Sequence, residues 1–330
     1  MISRLASLFL LATLVACGGS PATAPAAEVT SSPDRDLTAM TTTPPLSPPT
    51  TSPIGLRDCE VLDPPGRCAK IDVGGYDLWI VCRGSGSPTI VLDAGGGDDS
   101  RTWNRIIRDV PTISQVCVYD RAGLGSSDPP PQSSRTIQDS VDDLHTLLNN
   151  AGISAPYVLV GHSWGGLIAQ LYTREHPDDV VGLVLVDSAT VNQFVRLDPL
   201  VPTPSTGECP ELKFWRRSTG PQGPEVLDLD TSIKQVRTAP PFPTNLPLMV
   251  LAAGNHYPPT IGCLPHTFLE QVNDQEMALQ DELPLLSTNS VYIVAEQSRH
   301  YIQQDEPELV IQAIAQVIEA ARTQKPLKAS

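Results

Sequence analysis

The stretch Tyr157-Val158-Leu159-Val160-Gly161-His162-Ser163-Trp164-Gly165-Gly166 decides the fold. Its first half, residues 157–161, is a short apolar run without polar alternation, as in a strand covered on both faces. A helix-like segment, 167–175, follows it. The G-x-S-x-G pattern therefore stands in a strand–turn–helix context, where it carries a nucleophilic serine. The serine must sit on a tight, strained turn so that its Oγ projects above the sheet. Gly161 and Gly165 leave room where Cβ atoms would collide with neighbouring backbone. The N-terminus of the following helix adds partial positive charge and a free amide for an oxyanion. Ser163 is the predicted nucleophile.

Further strands are predicted at 78–82, 89–92, 115–119, 181–186, 248–252 and 291–295. Helical patterns lie between them. Ile137, Val141, Leu144 and Leu148 step by four, three and four onto one helix face, with Gly152 placed to end that helix. Leu309, Val310, Ile314, Val317 and Ala321 form a second stripe behind Pro307, which suits a first helical turn. Alternating β and α signals predict an α/β fold, with a mostly parallel sheet and helices on both faces. The core is expected over 66–188 and 246–325. Between these parts, 189–245 holds nine prolines and scattered aromatics, and reads as an insertion able to cap a site.

The 330 residues include 37 acidic and 22 basic side chains, a net charge of −15. Phosphate binding needs clustered cations, and the densest cluster is only Lys213, Arg216 and Arg217, so a nucleic-acid partner is excluded. Residues 1–16 read as an export signal: Arg4 supplies the charge, and an apolar run of about a dozen residues follows, too short to span a membrane. The run ends at Leu14-Val15-Ala16-Cys17-Gly18, which resembles a bacterial lipoprotein signal with Cys17 as the lipid acceptor. The alternative is ordinary secretion after a cut at Ala22-Thr23-Ala24. Residues 17–65, rich in Pro, Thr and Ser, read as a disordered tether. Six cysteines then remain: Cys59, Cys68, Cys82, Cys117, Cys209 and Cys263. An even count in an exported chain predicts disulfides, with 15 connectivities open. No cysteine or histidine cluster has zinc spacing, so neither a metal nor a cofactor is expected.

The chain resembles the α/β-hydrolase family, of the serine esterase and lipase type, over roughly residues 71–321. Besides the serine turn, the resemblance is carried by Ile90-Val91-Leu92-Asp93-Ala94-Gly95-Gly96-Gly97, by residues 119–128 (YDRAGLGSSD), by residues 182–188 (GLVLVDS) and by His300 ahead of Asp305 and Pro307. The chain departs from the family where Ala94-Gly95 replaces a common His-Gly, where Arg299 precedes His300 in place of a glycine, and where no acid follows the family's seventh strand.

The resemblance implies a Ser163–His300–acid triad. Residues 231–269 contain no Asp or Glu, so Asp187, at the end of strand 181–186, is the leading acid, with Glu270 and Asp274 the alternatives. Backbone amides of Trp164 and of Gly96, or else Gly97, would bind the oxyanion. His162 should point away from Oγ, His145 and His176 read as solvated or structural, and His256 and His266 could line a pocket. The family's sheet order makes Cys82–Cys117 a bridge. Cys59–Cys68 would clip a short loop, and Cys209–Cys263 would pin the insertion beside the site. The function implied is cleavage of a small-molecule ester at the cell envelope. A peptidase or amidase of the same fold and a non-catalytic binding lipoprotein remain as alternatives.

Overall fold

The computed structural model describes residues 56–59, 66–202, 209–212 and 225–328, all within one compact unit, Thr51–Ser330. The expected signal 1–16, Cys17, most of the tether and the Lys213, Arg216 and Arg217 trio lie outside the described residues.

The described strands are β1 (Arg57–Cys59), β2 (Gly66–Asp72), β3 (Asp77–Arg83), β4 (Thr89–Asp93), β5 (Val116–Tyr119), β6 (Tyr157–His162), β7 (Val180–Val186), β8 (Leu248–Ala253) and β9 (Ser290–Ala295). They form one sheet in the order β1-β2-β3-β5-β4-β6-β7-β8-β9. Pairing is antiparallel from β1 to β5 and parallel from β5 to β9. Two expectations are corrected here. The tether was expected to reach residue 65, yet Arg57–Cys59 already pairs with β2 and buries Leu56 and Cys59. The sheet therefore begins before the first predicted strand. β2 escaped notice because Arg67 and Lys70 interrupt its apolar positions.

The central strands β4, β5, β6 and β8 are buried at every position, which is why they lack alternation in sequence. Alternate side chains feed two cores. Leu159, Leu183, Leu185 and Val250 face α2 (Ile137–Asn150) and α3 (Trp164–Glu175). Val158, Val160, Val184 and Met249 face α1 (Asn104–Asp109) and the C-terminal helix Pro307–Thr323. α2 starts on a Thr136–Asp139 capping box, and its predicted stripe is fully buried. In the insertion, α4 (Gln193–Leu197) and α5 (Leu229–Thr238) are described, and Ser232 Oγ of α5 accepts the Ile137 amide at 3.0 Å. Leu197 and Leu212 pack with Phe268, Leu269 and Val272 of α6 (His266–Gln280) in a small separate cluster. No described helix is long and apolar enough to cross a membrane.

All three expected disulfides are present. Cys82–Cys117 joins directly paired positions of β3 and β5, Cys59–Cys68 crosses the β1–β2 pair, and Cys209–Cys263 ties the insertion to the loop after β8.

Candidate active site

Ser163 sits between β6 and α3 with φ 52° and ψ −120°, a conformation that L residues avoid. The glycines around it are required by contact. A Cβ on Gly161 would lie 2.5 Å from Gly165 O and Gly166 Cα, and one on Gly165 would lie 2.6 Å from Asp93 O. The turn thus presses β6 and α3 together and leaves Ser163 partly exposed. Trp164 is the first residue of α3, so its amide has no acceptor within the helix.

Asp187 directly follows β7, also at positive φ (42°). Its backbone amide donates to Leu251 O at 2.7 Å and ties the residue to β8. Its Oδ2 lies 2.6 Å from His300 Nδ1. Its Oδ1 accepts the Ala253 amide at 3.0 Å and His256 Nε2 at 2.9 Å. Burial on its own would raise the Asp187 carboxyl, but the hydrogen bonds from His256 and His300 outweigh it and hold the group far below the usual carboxylate range. The His300 side chain is 40% exposed and that of Asp187 only 1%, so the ring is open on one side and anchored on the other.

His162 holds His300 beside the serine turn. Its Nε2 donates to His300 O at 2.8 Å, and the two rings stand 4.6 Å apart. Burial, then the neighbouring His300 charge, pushes His162 down to about 3, so it is neutral across the working range. Among the described residues no hydrogen bond joins Ser163 Oγ to His300. Catalytic bonds of this kind commonly tighten only with substrate.

The alternative acids fall elsewhere. Glu270 and Asp274 are exposed on α6, and Glu270 pairs with His266 at 3.2 Å. His256, expected only as a pocket-lining residue, is buried on Asp187 and shares its surroundings with buried Glu276. Burial raises Glu276 to about 6, while the His256 charge draws it down. His145 and His176 stack on each other at 4.1 Å. The Gly97 amide donates to Glu225 Oε2 at 2.9 Å, which commits that alternative donor. Gly96 borders the turn: a Cβ there would lie 3.6 Å from Trp164 Cβ. Sequence reading passed over Arg121 and Glu225, which join in a buried ion pair behind this loop, with Nε 2.7 Å from Oε1. Nothing local in the sequence marks Glu225 as the partner of Arg121, 104 residues away.

Residues 90–313 match the alpha/beta hydrolase family, and the chain belongs to it. It is 28% identical over 242 residues to the protein YqjL of Bacillus subtilis (strain 168), covering 71% of this chain and 85% of that one. It is 37% identical over 126 residues to the lipase LipV of Mycobacterium tuberculosis (strain ATCC 25618 / H37Rv), covering 38% of this chain and 47% of LipV. Among solved structures, a thermophilic esterase from Thermogutta terrifontis superposes with a TM-score of 0.51 at 21% identity, over 77% of this chain and 98% of the esterase. At that identity the likeness speaks for the fold alone. The chain is an alpha/beta hydrolase with a lipase among its relatives.

Proposed function

We propose that the protein is an envelope-tethered serine hydrolase that cleaves carboxylic esters through an acyl-enzyme on Ser163. The observation that carries the reading is the buried Asp187 carboxyl hydrogen-bonded to His300 Nδ1 at 2.6 Å, beside a strained serine turn. A carboxylate on Nδ1 keeps that nitrogen protonated and leaves Nε2 as the base. Ser163 Oγ attacks the acyl carbon while His300 Nε2 takes its proton. The amides of Trp164 and Gly96 donate to the carbonyl oxygen and stabilise the negative charge that develops on it. His300 returns the proton to the leaving alcohol. Water then attacks the acyl-enzyme with the same proton transfers in reverse order, releasing the acid and restoring Ser163. No step calls for a metal or cofactor. The insertion 189–245 would shape the acyl pocket. A lipase among the relatives supports ester over amide substrates.

The test is turnover of p-nitrophenyl esters of increasing acyl length by the detergent-solubilised full chain beside Ser163→Ala. The expected loss in kcat is at least about 10³-fold. Equal turnover by the two proteins would sink the assignment of Ser163. Labelling of Ser163 by a fluorophosphonate without ester turnover would move the substrate towards amides. For the tether, Cys17→Ala should shift the protein from the membrane to the soluble fraction; a variant that stays with the membrane removes the lipid anchor from the reading.

A further inference from the structure

One buried ion cluster holds three backbone groups of the loop after β4. Arg121, 4% exposed, donates from Nη1 to Ala94 O and from Nη2 to Gly95 O, each at 2.6 Å. Glu225 accepts the Gly97 amide at 2.9 Å. The two side chains meet as a fork: Nε on Oε1 at 2.7 Å and Nη2 on Oε2 at 2.8 Å. Asp93 Oδ1 takes Nη1 at 2.7 Å and closes the cluster.

The groups held flank the amide of Gly96. A peptide unit is planar and trans, so its C=O and N–H point in opposite directions. Fixing Gly95 O on the guanidinium therefore fixes the Gly96 N–H in the opposite direction, away from Arg121. The next amide, Gly97, is turned the other way, onto Glu225. Gly96 also borders Trp164, whose amide is the second oxyanion donor of the proposed reaction.

We propose that Arg121 and Glu225 form a positioning bracket that aims the Gly96 N–H at the oxyanion, and that Glu225 brings this requirement from the insertion between β7 and β8. The proposal rests on the acyl-transfer reading above. Neither side chain meets the reacting atoms; both act through the loop backbone. Only arginine has the rigid fork of donors to hold two carbonyls and two carboxylates at once. The bracket makes the oxyanion site dependent on this part of the insertion, 128 residues away from Gly97 in sequence.

The experiment compares Glu225→Gln with wild type, both as full-length protein. Glutamine keeps the shape but has one acceptor oxygen where the carboxylate has two, so in either orientation an N–H replaces an acceptor on the Arg121 fork. Asp93 remains to balance Arg121. Active sites are counted by fluorophosphonate labelling, and kcat, KM and affinity for a phenylboronic acid, which forms a tetrahedral adduct on serine, are measured per labelled site. The expected result is a fall in kcat of about 10–100-fold with KM nearly unchanged, since a misaimed donor costs less than a deleted one. Boronic acid affinity should fall by a similar factor. A purely structural role would lower the labelled fraction and leave kcat per site intact, and kcat within twofold of wild type overturns the bracket. If Glu225→Gln does not fold, Arg121→Lys decides by the same readouts, because lysine keeps the charge and loses the fork. A wild type that neither labels nor turns over removes the acyl-transfer reading itself. An active wild type with unaffected variants removes only the bracket.

Discussion

Asp93 is the last residue of β4 and Asp187 the first after the parallel strand β7 of the same sheet, and each is 3% exposed. Burial penalises both charges, and the outcomes are opposite. Asp93 is pushed up to about 6 by burial; Arg121 and the Tyr119 hydroxyl at 2.8 Å pull it back only in part, and Glu225, which shares the same guanidinium, raises it further. Asp187 meets the same penalty, yet His256 and His300 bring it far below its ordinary value. Its two oxygens take two imidazoles and a backbone amide, and among the described residues no second carboxylate bonds to either ring. A buried carboxylate stays ionised when its donors are not shared with a competitor. Asp93 serves as one arm of a structural cluster. Asp187 is arranged to hold a constant negative charge under His300.

The pair can be broken in two ways. Asp187→Asn should lower ester kcat by roughly 10³–10⁴-fold, because an amide in that place allows the wrong histidine tautomer. Asp93→Asn, which still offers an acceptor to Arg121, should cost less than about tenfold. Similar losses from the two variants would mean that the contrast between them has no part in turnover. Their pH signatures should also oppose each other. Asp93 sits above its ordinary 3.8, so its contribution to stability is present below about pH 4 and is lost as pH rises through about 6. Asp187 sits below 3.8, so its contribution is present above about pH 4 and is lost as pH falls further. Urea unfolding of wild type against Asp93→Asn between pH 4 and 7 should show wild type losing relative stability, on the order of 3 kcal/mol at most. A flat difference would show that Asp93 is not strained by burial.

The same distinction explains what could be read before the structure. Strands such as β6 and β8 were legible because complete burial leaves an unbroken apolar run. β2 was not, since it lies between two antiparallel neighbours near the sheet edge and exposes charged residues. Ser163 and His300 were legible because each lies in a local pattern, and Asp187 because residues 231–269 offered no other acid. The distant partners of Arg121 and Asp187 left no such trace. Glu225 reaches Arg121 across 104 residues, and His256 reaches Asp187 across 69. Contacts that long impose no spacing on the sequence, so His256 read only as a loop histidine near a pocket.

That second imidazole gives the smallest and most discriminating test. His256 is buried between Asp187, which it bonds, and Glu276, whose charge also acts on it. Burial lowers its pKa, but the Asp187 hydrogen bond and the two carboxylate charges raise it overall. A raised histidine contributes stability that is fully present below about pH 6.5 and is lost as pH rises through its folded value. His256→Leu should therefore open a larger stability gap to wild type at pH 5.5 than at pH 8.5, measured by urea unfolding. Glu276, already near 6, will take up a proton more readily once the neighbouring cation is gone, and this narrows the gap at pH 5.5 without reversing it. The kcat for esters should fall about tenfold with KM unchanged, because the Ala253 amide and His300 still hold Asp187 after one donor is lost. A gap that is equal at both pH values would make His256 a neutral packing residue, and the ionisation of Asp187 would then rest on His300 and the backbone alone.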